Sequence, residues 1–338
     1  MIWMTWRQFR IQALTVAAIM LVFIAALALT WTQVTGLARD TGFTGCRADA
    51  CDDAAQAFIG ALQDEAAGSL YYVGNVLLFM LPVLLGIFWG APLVARELET
   101  GTYRMAFSQS VTRRRWLLVK LVIGAASAAL SAGLASLALT RWAAPIDLVE
   151  SRISPATFAT RGIMPIVYAA LAFVIGVTVG MLLRRTLAAM AVTLLVVVAL
   201  QAAVAFLLLP LVAQPITSAT ALNPDGQLTY VLKPSTNEMH LIVPAGTPNT
   251  WILERSTVTS TGAEFRGPAD PTTCGPVDHD GPTDECRAWL GAQHLSTKVT
   301  YVPGSSFWSL QWREFGVLIA LTLGLSWFSL WWIRRRLV

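Results

Sequence analysis

The sequence predicts an α-helical polytopic membrane protein: six transmembrane helices, both termini cytoplasmic, plus a small extracellular α+β domain between helices 5 and 6. Three observations predict it. Hydrophobic residues make up 55% of the chain and charged residues 13%, about half the roughly 25% of a soluble domain. Six runs are apolar and long enough to cross a hydrocarbon layer as helices. Lysine and arginine concentrate in alternate loops between those runs, as a positive-inside bias requires.

The elements follow in chain order. Met1–Arg10 carries Trp3, Trp6, Arg7 and Arg10; it reads either as an amphipathic elbow in the membrane interface or as a plain extension of the first span. The spans are Ile11–Trp31, Tyr71–Val94, Trp116–Leu139, Ile163–Leu183, Leu187–Val212 and Phe315–Ile333. The first is longer than the apolar core of a signal peptide, so it is expected to be retained. In the loop Thr32–Leu70, Asp52 is a candidate N-cap, and Phe58, Ile59 and Leu62 share one helical face. Only Arg184-Arg185-Thr186 separates the fourth and fifth spans. Two arginines are costly in hydrocarbon, so they mark a tight helical hairpin at the surface. Small residues recur at i, i+4 in Gly124/Ala128/Ala132/Ser136, Gly176/Gly180 and Gly316/Ala320/Gly324. Such ridges let helices approach closely, within one subunit or between two.

With the N-terminus inside, the cytoplasmic side holds Arg7, Arg10, Arg96, Arg104, Arg113, Arg114, Arg115, Lys120, Arg184, Arg185 and Arg334–Arg336, against Arg39, Arg47, Arg141, Arg152 and Arg161 in the short outside loops. The cluster Arg141, Arg152 and Arg161 is the exception, with Asp147 and Glu150 available to offset it locally. Trp31, Trp89, Trp116, Trp142, Trp312, Trp331 and Trp332 fall at or near span ends, where amphipathic rings settle.

Residues 213–307 differ in composition. Pro, Gly, Thr and Asp rise, and β-prone runs appear at Leu228–Leu232, Met239–Val243, Trp251–Val258 and Lys298–Val302, with a short helix at Asp284–His294. The domains are therefore 1–212 (five helices with the N-terminal elbow and a cytoplasmic coupling loop, 95–115), 213–307 (extracellular) and 308–338 (sixth helix and basic tail). Cys46, Cys51, Cys274 and Cys286 all fall outside on this topology, in an oxidising compartment. Cys46–Cys51 and Cys274–Cys286 are the pairs closest in sequence and the expected bridges, although three pairings are open to four cysteines.

The chain has no GxxxxGK[ST] phosphate loop, no HExxH and no GxSxG, so it carries none of the chemistry those motifs supply. His240, His279 and His294 lack a metal spacing; Asp278-His279-Asp280 with Asp284-Glu285 reads better as a solvated loop, and no metal site is expected. No ionisable residue is placed deep within a span, Lys120 being the closest and able to snorkel. Only neutral polar groups remain there, such as Asn75, Ser127, Ser131, Tyr168, Thr178 and Gln201. A pump built this way must draw its energy from a partner.

Between spans two and three lies Arg96-Glu97-Leu98-Glu99-Thr100-Gly101-Thr102-Tyr103-Arg104, followed by Ser108-Gln109-Ser110-Val111-Thr112-Arg113-Arg114-Arg115-Trp116. With six spans, inside termini and the basic N-terminus, these segments resemble an ABC transporter permease of the ABC-2 exporter type, and look like its actinobacterial drug-exporter branch. The resemblance covers the membrane part and leaves 213–307 aside. It implies a non-catalytic subunit of an ATP-driven exporter in a bacterial cell membrane. The partners would be a cytoplasmic ABC ATPase in two copies and a second permease copy, a homodimer set in membrane lipid; no nucleic acid is expected. ATP and Mg would be cofactors of the ATPase, with none in this chain. Arg96, Glu97, Glu99, Thr100, Gly101, Thr102 and Arg104 would form the ATPase-coupling interface, with Glu97 and Glu99 pairing with basic groups on the ATPase and Gly101 ending the helix. Phe79, Phe88, Trp89 and Phe173 suggest an amphipathic or hydrophobic cargo: a drug, lipid or peptide. The alternative is a polytopic receptor or scaffold whose extracellular domain binds a ligand or partner protein.

Overall fold

The computed structural model describes residues 2–45, 51–102, 112–223, 229–233, 238–242, 249–267, 273–274 and 283–336. The chain divides into two units, Met1–Ala213 with Phe307–Val338, and Gln214–Ser306.

In the first unit, α1 (Ile2–Asp40) is one unbroken helix. The N-terminal segment therefore extends the first span and does not turn into a separate elbow. α2 (Cys51–Gln63) follows; Phe58 is buried and stacks on Phe43 at 5.5 Å between ring centroids. α3 (Ala66–Leu85) passes through a π-helical turn, Gly86–Gly90, into α4 (Ala91–Glu99). Beyond it come α5 (Arg113–Trp142), the short α6 (Ala144–Val149) and α7 (Pro155–Phe158), then α8 (Met164–Leu183). α9 (Thr186–Ala203) passes through a second π-helical turn, Val204–Leu208, into α10 (Leu209–Val212). The last helix is α12 (Phe307–Arg336). Among the described residues six helices are long and apolar enough to span a membrane.

Both π-helical turns have one local cause. Pro92 and Pro210 each stand two residues beyond a turn. Proline has no N–H and its ring clashes with the carbonyl four residues back. A step to i−5 bonding, as in Ala91 N–H to Gly86 O, absorbs the mismatch without ending the helix.

α8 is the central helix, buried along most of its length, with α3, α4, α5, α9 and α12 packed around it. It meets α3 and α4 backbone to backbone. A Cβ added at Gly90 would lie 2.5 Å from the Phe173 carbonyl oxygen, and one at Gly180 would lie 2.6 Å from that of Ala91. One at Gly176 would strike the Gly86 oxygen. The Gly176/Gly180 ridge thus serves packing within the chain. Gly176→Ile is expected to destabilise the unit by more than the ~1–3 kcal/mol of ordinary overpacking, because backbone cannot yield; loss of the monodisperse peak in detergent size exclusion checks it. The Gly316/Ala320/Gly324 ridge differs: it is exposed, and a Cβ at Gly316 or Gly324 meets nothing within 4 Å.

The second unit contains β1 (Ile216–Ala221), β2 (Thr229–Lys233), β3 (Glu238–Ile242), β4 (Thr250–Val258), α11 (Asp284–Ala292) and β5 (Ser296–Pro303). β1, β5 and β4 form an antiparallel sheet in that order, and β2 pairs with β3. β1 is not among the predicted strands. Its residues ITSATA are nearly all exposed, and pairing with β5, from Ile216 opposite Tyr301 to Ala221 opposite Ser296, holds it in place. Thr283 caps α11 by accepting from Cys286 N–H at 3.3 Å. Cys274 and Cys286 are bridged, with 4.9 Å between their Cα atoms, and pack with Tyr230, Met239, Phe265 and Leu290. Cys51 is also disulfide-bonded; Cys46, its expected partner, lies outside the described residues.

Candidate functional site

The charged end of the second span is built as a clamp. α4 closes on Thr100, whose N–H and hydroxyl both reach Arg96 O, at 3.0 and 2.9 Å. Gly101 follows at φ +73°, the left-handed conformation that a helix end favours and glycine adopts without strain. Arg96, Glu99, Thr100 and Thr102 lie at the surface of this segment, as do Arg113–Arg115 at the start of α5 and Arg184–Arg185 in the α8–α9 turn. Arg104 lies outside the described residues.

Both carboxylates have partners within the chain, Glu97 from a half-buried position and Glu99 from the surface. Glu97 pairs with Lys120 of α5 at 2.6 Å. The Lys120 ammonium also donates to Leu93 O at 3.3 Å and lies 4.3 Å from the centre of the Trp116 ring. Lys120 is only 4% exposed; it is held inward and does not snorkel. A buried ammonium needs such a counter-charge, and Glu97 is within reach one helix away. Glu99 accepts from the Thr186 N–H at 2.9 Å and from its hydroxyl at 2.6 Å. α9 has no side-chain cap from its own N-cap residue Arg185, so Glu99 supplies the acceptor and a favourable negative charge at the helix start. One short charged segment is thereby joined to both α5 and α9.

A second polar cluster, near the start of α3, was not legible as such. α3 and α4 run on as one helix from Ala66 to Glu99, which puts this cluster roughly 33–39 Å from Glu97 at ~1.5 Å per residue. Arg161 and Asp147, expected in an outside loop, are 0% and 4% exposed. The guanidinium grips the carboxylate through Nε–Oδ2 at 2.7 Å and Nη2–Oδ1 at 2.9 Å. Nη1 donates to Asn75 Oδ1 at 2.8 Å, and the Tyr71 hydroxyl donates to Asp147 Oδ1 at 3.2 Å. The exception in the charge count is therefore, at Arg161, a closed internal pair and not surface charge. Glu314 is a further correction. α12 starts at Phe307, eight residues before the predicted span, which leaves Glu314 two turns inside it and 2% exposed. It accepts from the Tyr168 hydroxyl at 2.8 Å. Gln311, one turn earlier, accepts from Ile163 N–H at 2.9 Å and donates to Arg161 O at 3.0 Å. The sequence signal was the polar pair Gln311/Glu314 at i, i+3, on one helical face just ahead of the long apolar stretch.

Among the described residues no group of three or more His, Cys, Asp or Glu could hold a metal; Asp278, His279 and Asp280 lie outside them. A family model described as ABC-2 membrane transporter related matches residues 17–208, more than half of the chain and all of the clamp. Comparison with curated proteins and with solved structures returns no match.

Proposed function

We propose a mode of action from one premise: the chain belongs to the ABC-2 membrane transporter related family, and is a multi-pass membrane permease of ABC type. It is the non-catalytic subunit of an ATP-driven exporter, with ATP and Mg bound and hydrolysed by a separate cytoplasmic ATPase, and with both its own termini on that side. The observation that carries this reading is the clamp: Glu97 to Lys120 and Glu99 to Thr186 tie the end of α4 to α5 and α9. A push on Arg96, Thr100 and Thr102, at the surface of the segment, would move three spanning helices together. The carboxylates transmit in this reading, and the arginines dock. The exposed Gly316/Ala320/Gly324 ridge supports pairing with a second copy. The apolar spans favour an amphipathic or hydrophobic cargo, a drug, lipid or peptide, moved outward from a bacterial plasma membrane.

The test is reconstitution. The purified chain alone is expected to hydrolyse no ATP, lacking a phosphate loop. Tagged and co-expressed with candidate ABC ATPases of its own genome, it is expected to retain one of them through purification. Arg96→Glu should release it while the thermal unfolding midpoint stays in place. Retention unchanged by Arg96→Glu and Arg113→Glu together would reject this docking surface.

A further inference from the structure

We propose that the groove between α1 and α5 is a binding site for one acyl chain of a membrane phospholipid, entering sideways from the bilayer. The inference rests on the membrane-spanning reading of these helices and not on coupling to an ATPase.

α1 and α5 are tied at one level, where Trp142 Nε1 donates to Thr30 Oγ1 at 3.1 Å. Beyond that tie they leave a cavity of about 560 Å³. Its α1 wall runs from Val16 to Ala28 and its α5 wall from Ser127 to Leu134. Trp89, 5% exposed, is the one lining residue from the second span, and it stands in the π-helical turn Gly86–Gly90. π-helical turns recur at functional sites. Here that turn packs its glycines against α8 and brings Trp89 to the lining of the groove.

Three properties select the occupant. First, the groove's hydroxyls are already engaged. Among the described lining residues these are Ser127 and Ser131, and each donates to the carbonyl one turn back, Ile123 O at 2.8 Å and Ser127 O at 2.9 Å. Second, Val16 to Ala28 spans about 18 Å of helix, close to the ~15 Å hydrocarbon depth of one leaflet. Third, both walls are apolar, with Val16, Met20, Leu21 and Ile24 from α1 facing Leu130 and Leu134 from α5. A flexible, unbranched, wholly apolar chain satisfies all three. The rims, Leu21 and Leu130, are exposed on the faces that meet lipid.

The experiment uses the full chain in phospholipid nanodiscs without added cargo. One arm carries a phospholipid with a photoactivatable diazirine in its acyl chain, the other a diazirine on its headgroup. Adducts are mapped by peptide mass spectrometry against two exposed control positions, Leu195 on α9 and Leu323 on α12. The acyl probe is expected to label the Val16–Ala28, Trp89 and Ser127–Leu134 peptides about fivefold above the controls, the ratio that ~1 kcal/mol of preference gives. Ala25 and Ala28 line the groove and are not buried, so Ala25→Trp and Ala28→Trp fill it without entering the core; each should bring groove labelling down to control level and leave the controls unchanged. Labelling equal to the controls, or unmoved by both substitutions, overturns the proposal. Groove labelling by the headgroup probe overturns it too, as does crosslinking of Ala25→Cys between copies.

Discussion

Arg161→Ala is expected to destabilise the helical unit by about 3–5 kcal/mol, the cost of leaving one member of a buried ion pair uncompensated. The reason is local. Asp147 is 4% exposed, and the loss of the guanidinium leaves its carboxylate to the Tyr71 hydroxyl at 3.2 Å. Asn75 loses its Arg161 contact but keeps the Thr160 hydroxyl at 2.9 Å. Arg161→Lys should fail almost as badly, because a point charge cannot make the two parallel bonds that a planar guanidinium makes. The double variant Arg161→Met with Asp147→Leu removes both charges, and buried pairs replaced by apolar residues of similar volume are often neutral in stability. It should therefore be clearly more stable than either of its single variants. Thermal unfolding in detergent, followed by fluorescence-detected size exclusion, measures the whole series. A double variant as damaged as the sum of its parts would mean that shape, not charge compensation, dominates here.

Glu97→Lys is expected to uncouple the protein, and also to lower its stability, because it leaves the buried Lys120 ammonium without its counter-charge. The new ammonium and that of Lys120 would be like charges at a site where Lys120 is nearly buried and holds Leu93 O through the same group. Energetic couplings through packed networks change by roughly 0.5–2 kcal/mol on mutation, which is about twofold to thirtyfold in a rate or affinity. Stimulated ATP hydrolysis by the assembled complex should fall within that range. The charge swap, Glu97→Lys with Lys120→Glu, restores opposite charges and should recover much of it. Recovery separates transmission from docking: a carboxylate that served only to bind a basic surface of the ATPase would not be rescued by a change on α5. Gly101→Val tests the same end differently. A Cβ there meets nothing within 4 Å, so any loss comes from the backbone at φ +73°, a cost of ~1–2 kcal/mol for an L-residue.

Much of this architecture was legible because lipid makes it local. A helix in hydrocarbon must satisfy its backbone within its own segment, so composition over about twenty residues suffices to find it. The α8–α9 hairpin at Arg184–Arg185 and the helix end at Gly101 are equally local signals. The strands near the predicted runs are β-prone in themselves; β1 is polar and exists through its partner β5. The start of α12 was misplaced because the span was begun at the first long apolar stretch, which cut off Gln311 and Glu314.

The sequence by itself therefore determined six helices long and apolar enough to span, their charged surface turns, a separate strand-bearing unit and the place of the charged segment after the second span. Only the tertiary structure decided what the charges touch. Glu97 meets Lys120 on the next span, Glu99 meets Thr186 across 87 residues, and Glu314 meets Tyr168 across 146. Periodicity and composition report on a residue's own helix face. Ion pairs depend on which helices are neighbours, and that is set by backbone-to-backbone contacts such as Gly90 and Gly180 against α8 and α4. Inside a membrane the same residue reads as a surface charge or as half of a closed pair, and the difference lies wholly in the neighbouring helix.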